Sequence, residues 1–120
     1  MSLQLAIKFA ESMPIVKGRQ RICAIVVDKR GKVLSIGQNS YTKSHPLMQQ
    51  YSGKVGKPQA CFVHAEVASL INLSYNDKQK AHKIYIARAL KTGETGLAAP
   101  CAACAMAIAD TNIKSIEYTL

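Results

Sequence analysis

Two short stretches, His64-Ala65-Glu66 and Pro100-Cys101-Ala102-Ala103-Cys104, constrain this chain more than anything else in it. The first supplies an imidazole and a carboxylate, the second two thiols three residues apart. His64, Cys101 and Cys104 make a mixed nitrogen and sulfur ligand set one short of a closed tetrahedron, with Glu66 beside it as a spare acid or base. Structural zinc sites fill all four positions, whereas catalytic ones leave one for water, so this set suits a catalytic Zn2+. The fold must therefore bring together two stretches that lie far apart in the chain.

The rest of the chain indicates how. Leu3, Ala6, Ile7 and Ala10 share a face at helical spacing, which predicts an amphipathic helix over 2–13, ended by Pro14 and Gly18. Residues 20–28 carry the apolar run Ile22 to Val27, expected of a strand buried on both faces. The turn Asp28-Lys29-Arg30-Gly31 leads into a second strand over 32–39, and so short a connection predicts an antiparallel hairpin. Periodicity then disappears from Asn39 to Cys61, which reads as a binding loop of about twenty residues running into His64. Residues 64–73 form a helix with Val67, Leu70 and Ile71 inward, 83–90 a strand, and 101–110 an Ala-rich helix stopped near Asn112. A last strand covers 114–120. The order is α-β-β-α-β-α-β, and its later β-α-β alternation predicts parallel strands in a mixed sheet with helices packed on it.

The 120 residues suit one domain, 1–120, with a single core. No run reaches the roughly 18 apolar residues of a membrane helix. Lys8, Glu11 and Lys17 interrupt any leader-like stretch, so a cytoplasmic, reducing compartment is expected and the Cys-x-x-Cys pair reads as metal-binding or redox. The formal charge of +9, from 16 Lys and Arg against 7 Asp and Glu, favours anionic partners, nucleotides and nucleic acids among them. Its clusters are Lys17, Arg19 and Arg21; Lys29, Arg30 and Lys32; and Lys43, Lys54 and Lys57. A plain solvated surface explains them equally well.

The two ligand stretches open predicted helices. Cys101 and Cys104, at i and i+3, point to one side and can share an ion. Helix N-termini favour thiolate over thiol. Glu66 lies near the metal without being needed as a ligand, so it can take a proton from water and return it to a leaving group. Other readings stand beside this one: a redox pair, or a closed structural zinc with Cys61 or His45 as fourth ligand. Cys23 reads as a small core residue, and His82 as a cap or solvated group at a strand start.

His-x-Glu followed by Pro-Cys-x-x-Cys resembles the signature of zinc nucleobase deaminases, and the element order around it is similar to the cytidine deaminase superfamily. The resemblance covers nearly the whole chain. It implies a three-layer α/β/α fold, Zn2+ held by His64, Cys101 and Cys104, and Glu66 as proton shuttle. The implied reaction replaces the amine at C4 of cytosine, or C6 of adenine, with a carbonyl and releases ammonia. It further implies that Asn39 binds the substrate sugar or base and that the backbone amide of Ala65 contacts the base. The segment Asn39 to Pro46 (NSYTKSHP) is most similar to small phage-type and bacterial deoxycytidylate-deaminase-like proteins. Free cytidine deaminases usually carry Cys in place of His64, which moves the chain toward the deoxycytidylate, tRNA-adenosine and polynucleotide-editing branches. The implied partner is a small nucleoside or nucleotide such as deoxycytidylate, its phosphate held by Lys43, Lys54 and Lys57. Single-stranded DNA or RNA is the alternative, with Tyr41 and Tyr51 as stacking platforms. The chain stops after its fourth predicted strand, leaving a sheet edge open, and a homo-oligomer is expected to cover it.

Overall fold

The computed structural model describes residues 2–56 and 62–120. Its elements are α1 (Ser2–Ser12), β1 (Arg21–Val27), β2 (Val33–Gln38), α2 (Pro46–Lys54), α3 (Ala65–Ile71), α4 (Tyr75–Lys78), β3 (Lys83–Ala89), β4 (Thr95–Gly96), α5 (Ala102–Ala109) and β5 (Ser115–Tyr118). β1 pairs antiparallel with β2 on one side and with β3 on the other. The far side of β3 is shared: β5 runs parallel along Lys83–Ile86, and β4 pairs antiparallel with Arg88 and Ala89. The sheet is therefore mixed, with the expected hairpin and the expected parallel crossover both present.

β1 is central, and its side chains alternate between two apolar layers. Cys23, Ile25 and Val27 join Ala6 and Ala10 of α1 with Ala87 and Ala89 of β3. Ala24 and Val26 face the other way, into a cluster with Met48 of α2, Val67 and Leu70 of α3, and Cys104, Ala107 and Ile108 of α5. The result is three layers, α/β/α. A strand buried on both faces has no polar side, which is why its sequence reads as an unbroken apolar run.

Three expectations need correction. The stretch from Asn39 to Cys61, expected to be loop, contains α2; residues 57–61 lie outside the described residues. Pro46 stands at the helix start, where its missing N–H costs nothing, and His45 Nδ1 accepts from Leu47 N at 3.0 Å as the cap. The inward stripe of α2 is Met48, Tyr51 and Ser52, too short and too polar to show as periodicity. A fifth strand, β4, falls between the strand expected over 83–90 and the helix expected over 101–110, where no strand was expected. Arg21, grouped with Lys17 and Arg19 as surface charge, is 8% exposed. Its guanidinium donates to the carbonyls of Glu11 (2.8 Å), Met13 (3.3 Å) and Leu90 (2.9 Å), so it ties the end of α1 to the end of β3. Among the described residues, no helix is long and apolar enough to cross a membrane.

Candidate active site

His64 and Cys101 are the residues immediately before α3 and α5, both with extended backbone, and Cys104 lies in the first turn of α5. Both helices lie on the same face of the sheet, so their N-terminal ends converge. His64 Nδ1 lies 3.3 Å from Cys104 Sγ and 3.5 Å from Cys101 Sγ. The three donor atoms all fall within 4.8 Å of one another. Metal–nitrogen and metal–sulfur bonds of about 2.0 and 2.3 Å at a tetrahedral angle put N and S about 3.5 Å apart, so this donor set fits Zn2+. Cys104 is buried, His64 half-buried and Cys101 exposed, which leaves the cluster open on one side.

The electrostatics follow from that contact. Hydrogen bonding from Cys104, and then from His64, holds the Cys101 thiol down at about 3, so it carries the negative charge. Cys104 keeps its proton: its hydrogen bond to Cys101 and its burial both push it up. The Cys101 contact raises His64 against the opposing effect of burial. Two thiols and an imidazole that already share one negative charge give up their protons to an arriving cation. Glu66 is 5% exposed, and burial raises its carboxyl above the ordinary carboxylate range. A carboxyl shifted that way accepts and donates protons closer to neutral pH than a solvated one does.

A cavity of about 370 Å³ opens onto His64, Glu66 and Cys101. Its walls include Ile22, Asn39, Tyr41, Phe62 and Ala65. Ala65 is the first residue of α3, so its amide has no acceptor inside the helix. Asn39 is fixed at both ends of its side chain: Oδ1 accepts from Ile22 N at 3.0 Å and Nδ2 donates to Gln20 O at 3.0 Å. Each end retains one further hydrogen-bonding position. Ser40 N donates to Val63 O at 2.9 Å, which stitches the end of β2 to the residues just before His64. Tyr41 Oη accepts from Gln20 N, and Arg19 lies 5.4 Å from the centre of the Tyr41 ring.

The structure thus brings His64, Ala65, Glu66, Cys101 and Asn39 to one cavity, with Cys104 behind it. It does not bring the expected phosphate cations there. Lys43 and Lys54 are absent from the lining, Lys54 instead lies over the Tyr51 ring at 4.9 Å, and Lys57 is outside the described residues. Tyr51 is no stacking platform, being buried with its hydroxyl bonded to Asp110. His45 caps α2 and is not part of the metal-type cluster; Cys61 lies outside the described residues. Cys23 is fully buried and its thiol is pushed up to about 12. His82 is half-buried just before β3, where its amide donates to Val27 O at 2.9 Å. Sequence reasoning missed Phe62, which lines the cavity yet is 48% exposed. Its position two residues before His64 was the available signal.

Residues 2–120 match the family described as the cytidine and deoxycytidylate deaminase zinc-binding region. Among solved structures, the chain is similar to the dCMP deaminase from the cyanophage S-TIM5 in apo form: 20% identity, TM-score 0.62, covering 97% of this chain and 77% of that one. It is also similar to the cytidine deaminase from Burkholderia pseudomallei: 19% identity, TM-score 0.58, covering 98% of this chain and 80% of that one. At these identities the two structures establish the fold. No curated protein matches the sequence.

Proposed function

The chain belongs to the cytidine and deoxycytidylate deaminase zinc-binding family, and from that premise we propose that it hydrolyses the exocyclic amine of a cytosine base in a free nucleoside or nucleotide such as deoxycytidylate. The observation that carries this reading is the meeting, at one 370 Å³ cavity, of the buried Glu66 carboxyl and a nitrogen–sulfur cluster fit for zinc. His64, Cys101 and Cys104 hold Zn2+, which when bound lowers the pKa of water and stabilises developing negative charge. Glu66 takes a proton from water and returns it to the leaving amine: the C4–N bond breaks, a C4–O bond forms, and ammonia departs. The Ala65 amide and the free positions on Asn39 orient the base, and the Phe62 ring offers it a stacking face. The buried Ala65 and the half-buried Ile22 give that wall an apolar surface for the base.

In this reading residues 1–120 act as one domain in a reducing, cytoplasmic compartment. The chain self-associates through β5, all four of whose residues are exposed. A second reading, deamination of cytosine or adenine in single-stranded DNA or RNA, draws on the exposed Phe62 ring beside the cavity and the net charge of +9. A binding module around structural zinc is the non-enzymatic alternative; of its two candidate fourth ligands, His45 is committed to capping α2 and Cys61 lies outside the described residues.

Ammonia release from deoxycytidylate, deoxycytidine, adenosine and a short cytosine oligonucleotide tests the choice. Turnover of the free cytosine substrates is expected. Turnover of the oligonucleotide alone replaces the first reading with the second, and silence on all four substrates by zinc-loaded protein overturns both.

A further inference from the structure

The far side of β3 changes partners midway along the strand. β5 runs beside it as far as the pair Ile86 and Tyr118, and β4 takes over at Arg88. Thr119 fills the junction. It is 5% exposed, and each of its polar atoms is engaged. Its amide donates to Ile86 O at 3.1 Å, and its hydroxyl accepts from Arg88 N at 3.1 Å while donating to Gly96 O at 2.6 Å. Its carbonyl accepts from Ala98 N at 3.0 Å. A single residue thus ties together β3, β4 and the segment that follows β4.

That segment, 97–101, has no regular structure and delivers Cys101 to the start of α5. Among the described residues, the bond from Ala98 to Thr119 is the one backbone hydrogen bond that 97–100 makes. β4 is two residues long and holds little by itself. The link between anchor and thiol is stiff, however. Pro100 has a fixed φ, and it restricts Ala99 before it to extended backbone. Cys101 is extended as well, at φ −69° and ψ 171°. A link of three residues, at most about 10 Å long, with so few free torsions passes a displacement of Ala98 on to Cys101 rather than absorbing it. It also carries Ala99, which lines the catalytic cavity.

The other two donors have support of their own. Cys104 is buried inside α5, and His64 follows Val63, whose amide and carbonyl are bonded to Lys43 O and Ser40 N. Cys101 is exposed, and its neighbour Pro100 has no N–H to anchor, so its place depends on Ala98. Taking Cys101 as a zinc ligand, as above, we propose that Thr119 is a positioning residue of the metal site. It lines neither the cavity nor the donor cluster, and it acts by clamping Ala98 so that the Pro100 link aims Cys101 at the metal.

Thr119→Val keeps the shape of the side chain and removes the hydroxyl, and Thr119→Ser puts the hydroxyl back. Ala6→Gly, which weakens α1 on the other face of the sheet, controls for lost stability alone. Three readouts apply: zinc affinity by chelator competition, the thiolate-to-metal absorption of cobalt(II)-loaded protein, and the modification rates of Cys101 and Cys104 in zinc-loaded protein. In Thr119→Val, zinc affinity should fall about tenfold or more, the thiolate absorption should weaken, and Cys101 should react ahead of Cys104. Thr119→Ser should return all three to wild-type values, and Ala6→Gly should leave them there. A Thr119→Val protein that loses stability but keeps zinc affinity and Cys101 protection overturns the proposal. So does a loss that Ala6→Gly reproduces or that Thr119→Ser fails to rescue. Unprotected Cys101 in the zinc-loaded wild type is a different failure, which removes the ligand assignment and the proposal with it. Amide exchange in the wild type needs no variant to fold: Ala98 should be protected before zinc is added. Protection that appears only with zinc overturns the proposal, because the metal then orders the segment.

Discussion

Gly37 of β2 lies directly against the amide nitrogen of Ser69 in α3, with no room between them for a methyl group. A Cβ at this position would also overlap the carbonyl oxygen of Ala65 and the carbonyl carbon of Ala68. Ser35 Oγ donates to Ser69 O at 2.7 Å, and Asn72 Nδ2 donates to Ile36 O at 2.8 Å, so the helix is bonded to the strand on which it rests. Gly37→Ala must lift α3 from the sheet, at a cost of about 1–3 kcal/mol, measurable by urea denaturation. Because His64 and Glu66 travel with α3, zinc affinity should fall in the same variant. An unshifted denaturation midpoint would show that α3 does not depend on this contact.

Glu66→Gln keeps the shape of the side chain and removes its proton chemistry. The deamination rate should drop by about 10²- to 10⁴-fold while zinc content stays the same. The thermal midpoint should not fall, because burial already disfavours the charged carboxylate and a neutral amide escapes that penalty. A variant retaining near-normal turnover would remove Glu66 from the mechanism.

Asn39 has a double commitment, to its neighbours and to the cavity. Asn39→Ala deletes the bonds to Gln20 and Ile22, with an expected stability loss of about 1–3 kcal/mol and a raised KM. Asn39→Asp keeps the acceptor for Ile22 N but loses the donor to Gln20 O, so it should recover part of the stability without the KM. Steady-state kinetics beside denaturation curves separate the two roles.

Among the described residues the cysteines differ in access. In chelator-treated protein a thiol reagent should modify the exposed Cys101 first and the buried Cys104 later, and should leave Cys23 untouched until unfolding. Zinc should protect Cys101 and Cys104 together, as read by peptide mass mapping. Rapid modification of Cys101 at full zinc occupancy would exclude it as a ligand.

Tyr51 and Asp110 join α2 to the end of α5 opposite the cluster. The Tyr51 hydroxyl lies above its ordinary range, first because Asp110 accepts its hydrogen bond and then because of burial. A raised pKa in the folded state means this stability is fully present below the ordinary tyrosine pKa and is lost as pH rises through the raised one. Tyr51→Phe should therefore lower the thermal midpoint at neutral pH, with the gap to the wild type closing at alkaline pH. A gap that stays constant across that range would refute the assignment.

The parts of this fold that were legible in the sequence are those whose signal is local. His64, Cys101 and Cys104 declare themselves because metal chemistry demands particular atoms at particular spacings. β1 declares itself because a central strand is apolar on both faces. α2 stayed hidden because its inward stripe is short and partly polar, and because Pro46 and Gly53 read as breakers until His45 is seen capping the helix. β4, two residues long, has no periodicity to detect. Gly37 and Phe62 owe their roles to what stands opposite them in space, which no window of neighbouring residues contains. Lys43 and Lys54 misled for the same reason: closeness in sequence to His64 did not bring their charges to the cavity.

The buried guanidinium of Arg21 gives the N-terminal helix a responsibility that its distance from the cluster conceals. Two of its three carbonyl partners, Glu11 and Met13, lie at or just beyond the end of α1, and Arg21 itself immediately precedes the cavity residue Ile22. Trimming the chain through α1 would strand a positive charge in an apolar layer at the threshold of the cavity. α1 and the residue after it thus act as the counterweight that keeps the active-site end of β1 in place.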